Sequence, residues 1–209
     1  MTLIESLIAI TVTAILFGGV LQSMRAATGL MESTTAELEM DRKLRHLGQQ
    51  IRSRLQNARG TTITPAIPLA GGPGNTPFES SLTFQSVEGW DAGMIVLGPE
   101  QQLFVRTERS EVDNGVDDDG DGLIDELQLV HVPDVASGVE IVLSSGIVEF
   151  LGGETEDGTD ENGNGLIDEP GFSVSNENGR LVVRFAIAGQ AQDGTVVLRA
   201  SEIGVTPQP

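Results

Sequence analysis

The chain has 209 residues, no cysteine, and a net charge of −19 from 31 acidic against 12 basic side chains. Disulfide and thiolate chemistry are therefore closed to it, and the shortage of Lys and Arg argues against nucleic acid as the main partner. The acidity is local: 13 of the 31 acidic residues fall in two 14-residue stretches, Asp113–Glu126 and Glu156–Glu169, and such local concentration suggests bound cations.

Residues 1–58 read as one helix. From Met1 to Met24 the only charge is Glu5, which leaves about 20 residues of low polarity, enough to cross a hydrocarbon core about 30 Å thick. A carboxylate at the centre of such a segment costs of order 2.5–3.5 kcal/mol, and less near an end, so Glu5 needs a neutralising partner. Gly18 and Gly19 each cost about 1 kcal/mol relative to Ala in a helix interior. They mark either a place where the helix stretches on assembly or a close contact between helices through small residues.

From Arg25 the pattern becomes amphipathic, with Met40, Leu44, Leu47, Ile51, Leu55 and Ala58 recurring every three or four residues. That stripe should lie on a sheet. At 1.5 Å per residue, a helix over 2–58 is roughly 85 Å long, more than one small domain covers, so its N-terminal half must find partners in a membrane or in other copies of itself.

The residues Thr2-Leu3-Ile4-Glu5 and the apolar run behind them resemble the mature N-terminus of type IV pilins and type II secretion pseudopilins. The resemblance covers the first quarter of the chain. It implies that a prepilin peptidase removed a short basic leader, leaving an N-methylated Met1, and that Glu5 meets the free amine of Met1 in a neighbouring subunit. It also implies residence in the inner membrane before assembly, polymerisation with copies of the chain or with other pilins, and display as a bacterial cell-surface pilus or a periplasmic pseudopilus. Two features depart from the pattern: the first proline is Pro65, well beyond the usual helix proline, and the head has no disulfide.

Beyond Gly60 the periodicity changes. Residues 65–77 hold four Pro and three Gly and read as a loop. Strands are expected at Leu82–Ser86, Met94–Leu97, Leu103–Thr107, Leu127–Val132, Val139–Leu143, Ile147–Phe150, Leu181–Ile187 and Thr195–Ala200. The expected class is α+β: a long N-terminal helix, residues 1–59 (1–24 membrane or filament core, 25–59 amphipathic), packed on an antiparallel β-sheet head, residues 60–209, with two calcium-binding loops.

Those loops, 113–126 and 156–169, repeat at an offset of 43 residues and share Asp-x-[Asp/Asn]-x-[Asp/Asn]-Gly-Leu-Ile-Asp-Glu. Oxygen side chains at alternate positions converge only if the chain curls, and a glycine at the sixth position permits that turn. The twelfth position, where an EF-hand needs Glu, is Gln128 in one loop and Gly171 in the other. The pattern is instead similar to the shorter calcium loops of dockerins and thrombospondin type 3 repeats. That resemblance implies two Ca²⁺ ions. One would be held by Asp117, Asp119, Asp121, the Leu123 carbonyl and Asp125; the other by Asp160, Asn162, Asn164, the Leu166 carbonyl and Asp168. Glu126 and Glu169 would complete the shells.

No nucleophile motif or phosphate-cradling glycine loop stands out. His46 and His131 are isolated and read as structural, and Trp90 reads as core or head surface. An enzyme is therefore not expected. The leading expectation is a structural filament subunit, with a minor tip pilin or pseudopilin, or a monomeric membrane-anchored calcium-binding adhesive protein, as the alternatives.

Overall fold

The computed structural model describes residues 3–64, 80–163, 167–177, 180–191 and 194–209, without the side chains at 3, 5–10, 14 and 25–34. Helix α1 (Leu3–Gln56) is followed by a 3₁₀ turn at Gly60–Thr62 and seven strands. These are β1 (Ser81–Asp91), β2 (Met94–Thr107), β3 (Leu127–Val132), β4 (Ile141–Ile147), β5 (Phe172–Glu177), β6 (Arg180–Gln190) and β7 (Val196–Val205). Met1 and the expected loop at 65–77 lie outside the described residues, as does the Glu5 side chain.

All strand pairings are antiparallel and form one sheet ordered β1-β2-β3-β4-β6-β5, with β7 on the other edge of β6. One edge of β6 is shared: β5 takes Arg180–Phe185, while β4 meets it only where Ile147 faces Ile187. The sheet curves into a half-barrel around Phe84, Leu103, Leu129, Ile147, Phe172 and Phe185, all fully buried. Alternation drives this arrangement at Leu82 and Phe84 in β1, which point inward between less buried Thr83 and Gln85.

The expected class, a long N-terminal helix packed on a sheet, is corrected here. The molecule is mostly antiparallel half-barrel, and among the described helix side chains burial begins only at Met40. Met40, Leu47, Ile51 and Leu55 fill the mouth of the barrel. Leu38, two residues earlier, is 60% exposed because two residues turn a helix by about 200° and set it on the face opposite Met40. Gly48 brings the backbones close, since a Cβ at that position would sit 3.4 Å from the Phe185 ring and 3.5 Å from Ile203. Upstream contact is ionic, with Arg199 of β7 reaching Glu37 at 3.1 Å and Asp41 at 3.6 Å.

Among the described residues no helix is long and apolar enough to cross a membrane. Several side chains of the expected membrane segment, residues 1–24, are outside the description.

Strand boundaries also differ from expectation. The two runs at 94–97 and 103–107 are one strand continuing through Gly98-Pro99, and the run at 147–150 is the end of β4 plus a single bridge between Phe150 and Pro170. Strand β5 was not expected, although Phe172-Ser173-Val174-Ser175 alternates. Its serines are buried as well as its apolar residues, since β5 is covered on both faces.

Candidate metal centre

The two acidic segments connect β2 to β3 and β4 to β5, and in space they repeat over a longer stretch than their sequences suggest. The Glu108 amide donates to the Glu126 carbonyl at 3.0 Å, and 43 residues later the Leu151 amide donates to the Glu169 carbonyl at 2.8 Å. Inside each neck a tight turn follows, Glu111 N–H to Glu108 carbonyl and Glu154 N–H to Leu151 carbonyl. The repeated units are therefore 108–126 and 151–169.

Within each unit an aspartate closes the loop from its far end. Asp125 and Asp168 have positive φ, 52° and 51°, a conformation tolerated by Asp better than by most residues. The Asp125 carboxylate accepts the amides of Asn114 (2.9 Å) and Gly115 (2.6 Å), and Asp168 accepts those of Asp157 (3.2 Å) and Gly158 (3.1 Å). Asp117 and Asp160 each accept the amide three residues on, from Gly120 and Gly163, at 2.6 Å.

A buried glutamate organises each loop from below, and neither was foreseen. Glu111 accepts the amides of Asp118 (3.2 Å) and Asp119 (3.0 Å). Glu154 accepts those of Asn162 and Asp168, both at 3.1 Å. The signal was available, because the 43-residue offset extends two residues upstream of Asp113 and Glu156 and aligns Glu111 with Glu154.

In the first loop the side chains converge. Carboxylate oxygens of Glu111, Asp117 and Asp119 lie within 4.8 Å of one another, as do those of Asp119, Asp121 and Glu126. Glu126 is 3% exposed, and neither of its carboxylate oxygens has a hydrogen-bond partner of acceptable geometry. Burial pushes its carboxyl up to about 7; its own backbone amide offsets part of this, and Asp121, Glu111 and Asp119 add to it. Crowded oxygen ligands around an uncompensated buried carboxylate fit a hard divalent cation such as Ca²⁺. Asp125, expected among the ligands, is absent from these groupings and serves as the loop clasp. Leu123 sends its side chain into the interior, 8% exposed. Gly122, at the sixth position, has φ +88°, and a Cβ there would meet the Gln190 amide.

The second loop is built differently. Asn164 and Leu166 lie outside the described residues. Asp160 and Asn162 are turned to the loop backbone and to Glu169, whose Oε2 accepts from Asn162 Nδ2 at 3.4 Å. Glu169 is fully buried, and its Oε1 lies 3.9 Å from Arg184 Nε. Just after the neck begins, a Cβ at Gly152 would lie 3.9 Å from Leu198 and 4.0 Å from Ala200 of β7.

The two loops share one end of the molecule. Burial raises the Glu149 carboxyl, and Asp113 and Asp125 of the first loop act on it together with Glu156 of the second. A groove of about 520 Å³ between the first loop and α1 is lined by Asp121, Leu123, Glu39, Met40 and Lys43, among others. His46 and His131 stand apart from the acidic loops. The Nε2 of His46 pairs with Gln50 on the helix, and His131 bonds Arg54 and Gln101. Trp90 is 71% exposed near the tip of the β1–β2 hairpin.

The chain matches no protein-family model, and no curated protein or solved structure is found to be similar to it.

Proposed function

We propose that the chain is a structural subunit of a type IV pilus- or pseudopilus-like filament, without enzymatic activity of its own, and that calcium stabilises its head. It polymerises with itself or with other pilins through the N-terminal helix. The inner membrane holds it before assembly, and the filament stands at the cell surface or in the periplasm afterwards. The observation that carries this reading is the helix upstream of the sheet. Ile15, Leu16, Phe17, Val20, Leu21 and Met24 are each more than half exposed, and at 100° per residue they cover most of the circumference. A helix apolar all round needs cover on every side, which parallel copies or lipid supply. Glu5 then finds its counter-charge in the Met1 amine of a neighbouring copy, one helical turn away in register.

Phe17→Asp tests this directly. The head should fold as before, because Phe17 is 67% exposed, while sheared or periplasmic filaments should be lost; normal filament yield would refute the reading. A membrane-anchored adhesive protein is the second reading, favoured by Trp90 and Met94, each 71% exposed on one hairpin. Under that reading Trp90→Ala would abolish adhesion.

A further inference from the structure

The two acidic repeats have diverged in how they neutralise the same buried glutamate. Glu126 and Glu169 occupy equivalent positions at the 43-residue offset, each handing its carbonyl to the neck of its loop. Both are buried, at 3% and 0% exposure. A carboxylate so placed needs a partner charge or hydrogen bonds.

Around Glu169 the protein supplies that charge itself. Arg184, on β6 and 9% exposed, places Nε 3.9 Å from Glu169 Oε1, too long for a hydrogen bond but close for a buried Coulomb contact. Its fork is anchored by Ser175 Oγ at 3.0 Å and Glu202 at 3.1 Å. Asn162 and Asn164 also stand where the first loop has Asp119 and Asp121, so the second loop carries less negative charge. Around Glu126 the balance is reversed. Glu111, Asp117, Asp119 and Asp121 add four carboxylates, and among the described residues no Lys or Arg forms an ion pair with any of the five.

We propose that the chain binds one tight divalent cation, not two: the first loop takes Ca²⁺ through the Glu111–Asp117–Asp119–Asp121–Glu126 cluster, and in the second loop the Arg184 guanidinium stands in the place of the metal. This rests on the calcium-stabilised head proposed above and is independent of filament assembly. Glu111 is then a metal-site residue, while Asp125 and Asp168 are loop clasps. Glu169 is an ion-pair partner and not a calcium ligand.

The test is calorimetric titration of calcium into the full chain, stripped with chelator and held in non-ionic detergent. Wild type should take up one calcium per chain in a tight step. Glu126→Gln should weaken that step at least tenfold, and Glu169→Gln should leave its stoichiometry at one and its affinity within about twofold. Arg184→Gln should gain a second step or strengthen a weak one at least tenfold, because Glu169 then loses the counter-charge of Arg184. Two comparable calcium ions in wild type, or loss of a calcium in Glu169→Gln, would overturn the inference while leaving calcium stabilisation standing. Since Glu169→Gln decides by itself, misfolding of Arg184→Gln does not protect the proposal. No calcium uptake at all would remove both.

Discussion

Arg54 on α1 donates its Nε hydrogen to Nδ1 of His131 on β3 over 3.2 Å, and the other ring nitrogen faces Gln101 Oε1 at 3.0 Å. A guanidinium has only hydrogens to give, so Nδ1 accepts, and Nε2 carries the proton that Gln101 receives. The imidazole is neutral by construction and ties the last turns of the helix to the middle of the sheet.

That arrangement predicts an acid sensitivity. Burial, followed by the charge of Arg54, pushes His131 down from 6.5 to about 4. Between those values the unfolded chain holds a proton that the folded one refuses, so stability is full above pH 6.5 and declines as pH falls towards 4. At about 1.4 kcal/mol per tenfold change in proton affinity, the loss is of order 3 kcal/mol. Thermal melts between pH 7 and 5 should show wild type losing stability faster than His131→Gln, which cannot titrate. Parallel curves would refute this account.

A crossing pattern is expected at Glu126. With chelator present, Glu126→Gln removes a charge that is buried without a partner, and it should melt higher than wild type, by about 2–4 °C if the gain is near 1 kcal/mol. With calcium present the order should reverse, because wild type alone keeps the full set of carboxylates and gains the binding free energy. If calcium and chelator gave the same melting temperature for wild type, the metal centre would be ruled out.

Gly171 lies where β4 and β5 approach β6, and a Cβ there would sit 1.8 Å from the Val148 carbonyl oxygen. Backbone cannot yield as a side-chain tip can. Gly171→Ala should therefore cost more than about 3 kcal/mol or fail to fold, a loss reserved for severe steric mechanisms. Gly152→Ala is the control, since its new methyl would make only ordinary contacts near 4 Å. Denaturant melts of the two variants decide the matter.

On the helix, Ile51 is fully buried and Leu38 is 60% exposed. Ile51→Ala should destabilise by about 2–5 kcal/mol, and Leu38→Ala by less than about 0.5 kcal/mol. Equal losses would mean that Leu38 is covered as fully as Ile51.

Some of this was legible in the sequence and some was not. Helical periodicity marked Met40 through Ala58 as a buried stripe, and the 43-residue offset found both acidic loops. Alternating spacing could not show that Asp125 and Asp168, although in ligand register, take positive φ and turn back on their own loops, because that depends on which amides the curled chain presents. Glu111 and Glu154 escaped notice since they precede the obvious motif, although the same offset reaches them. Arg184 lies on a distant strand, and only tertiary structure sets it beneath Glu169.

Because each acidic unit leaves and re-enters the sheet across a single hydrogen bond, Glu108 to Glu126 and Leu151 to Glu169, its two ends stay at a fixed spacing whatever happens between them. Loop length then weighs little on the strands it joins, and the pieces behave as interchangeable cassettes. A chimera carrying two copies of 111–125, one of them in place of 154–168, should keep every strand register while changing its ion requirement. Such a part can be exchanged for its counterpart without the strands changing partners.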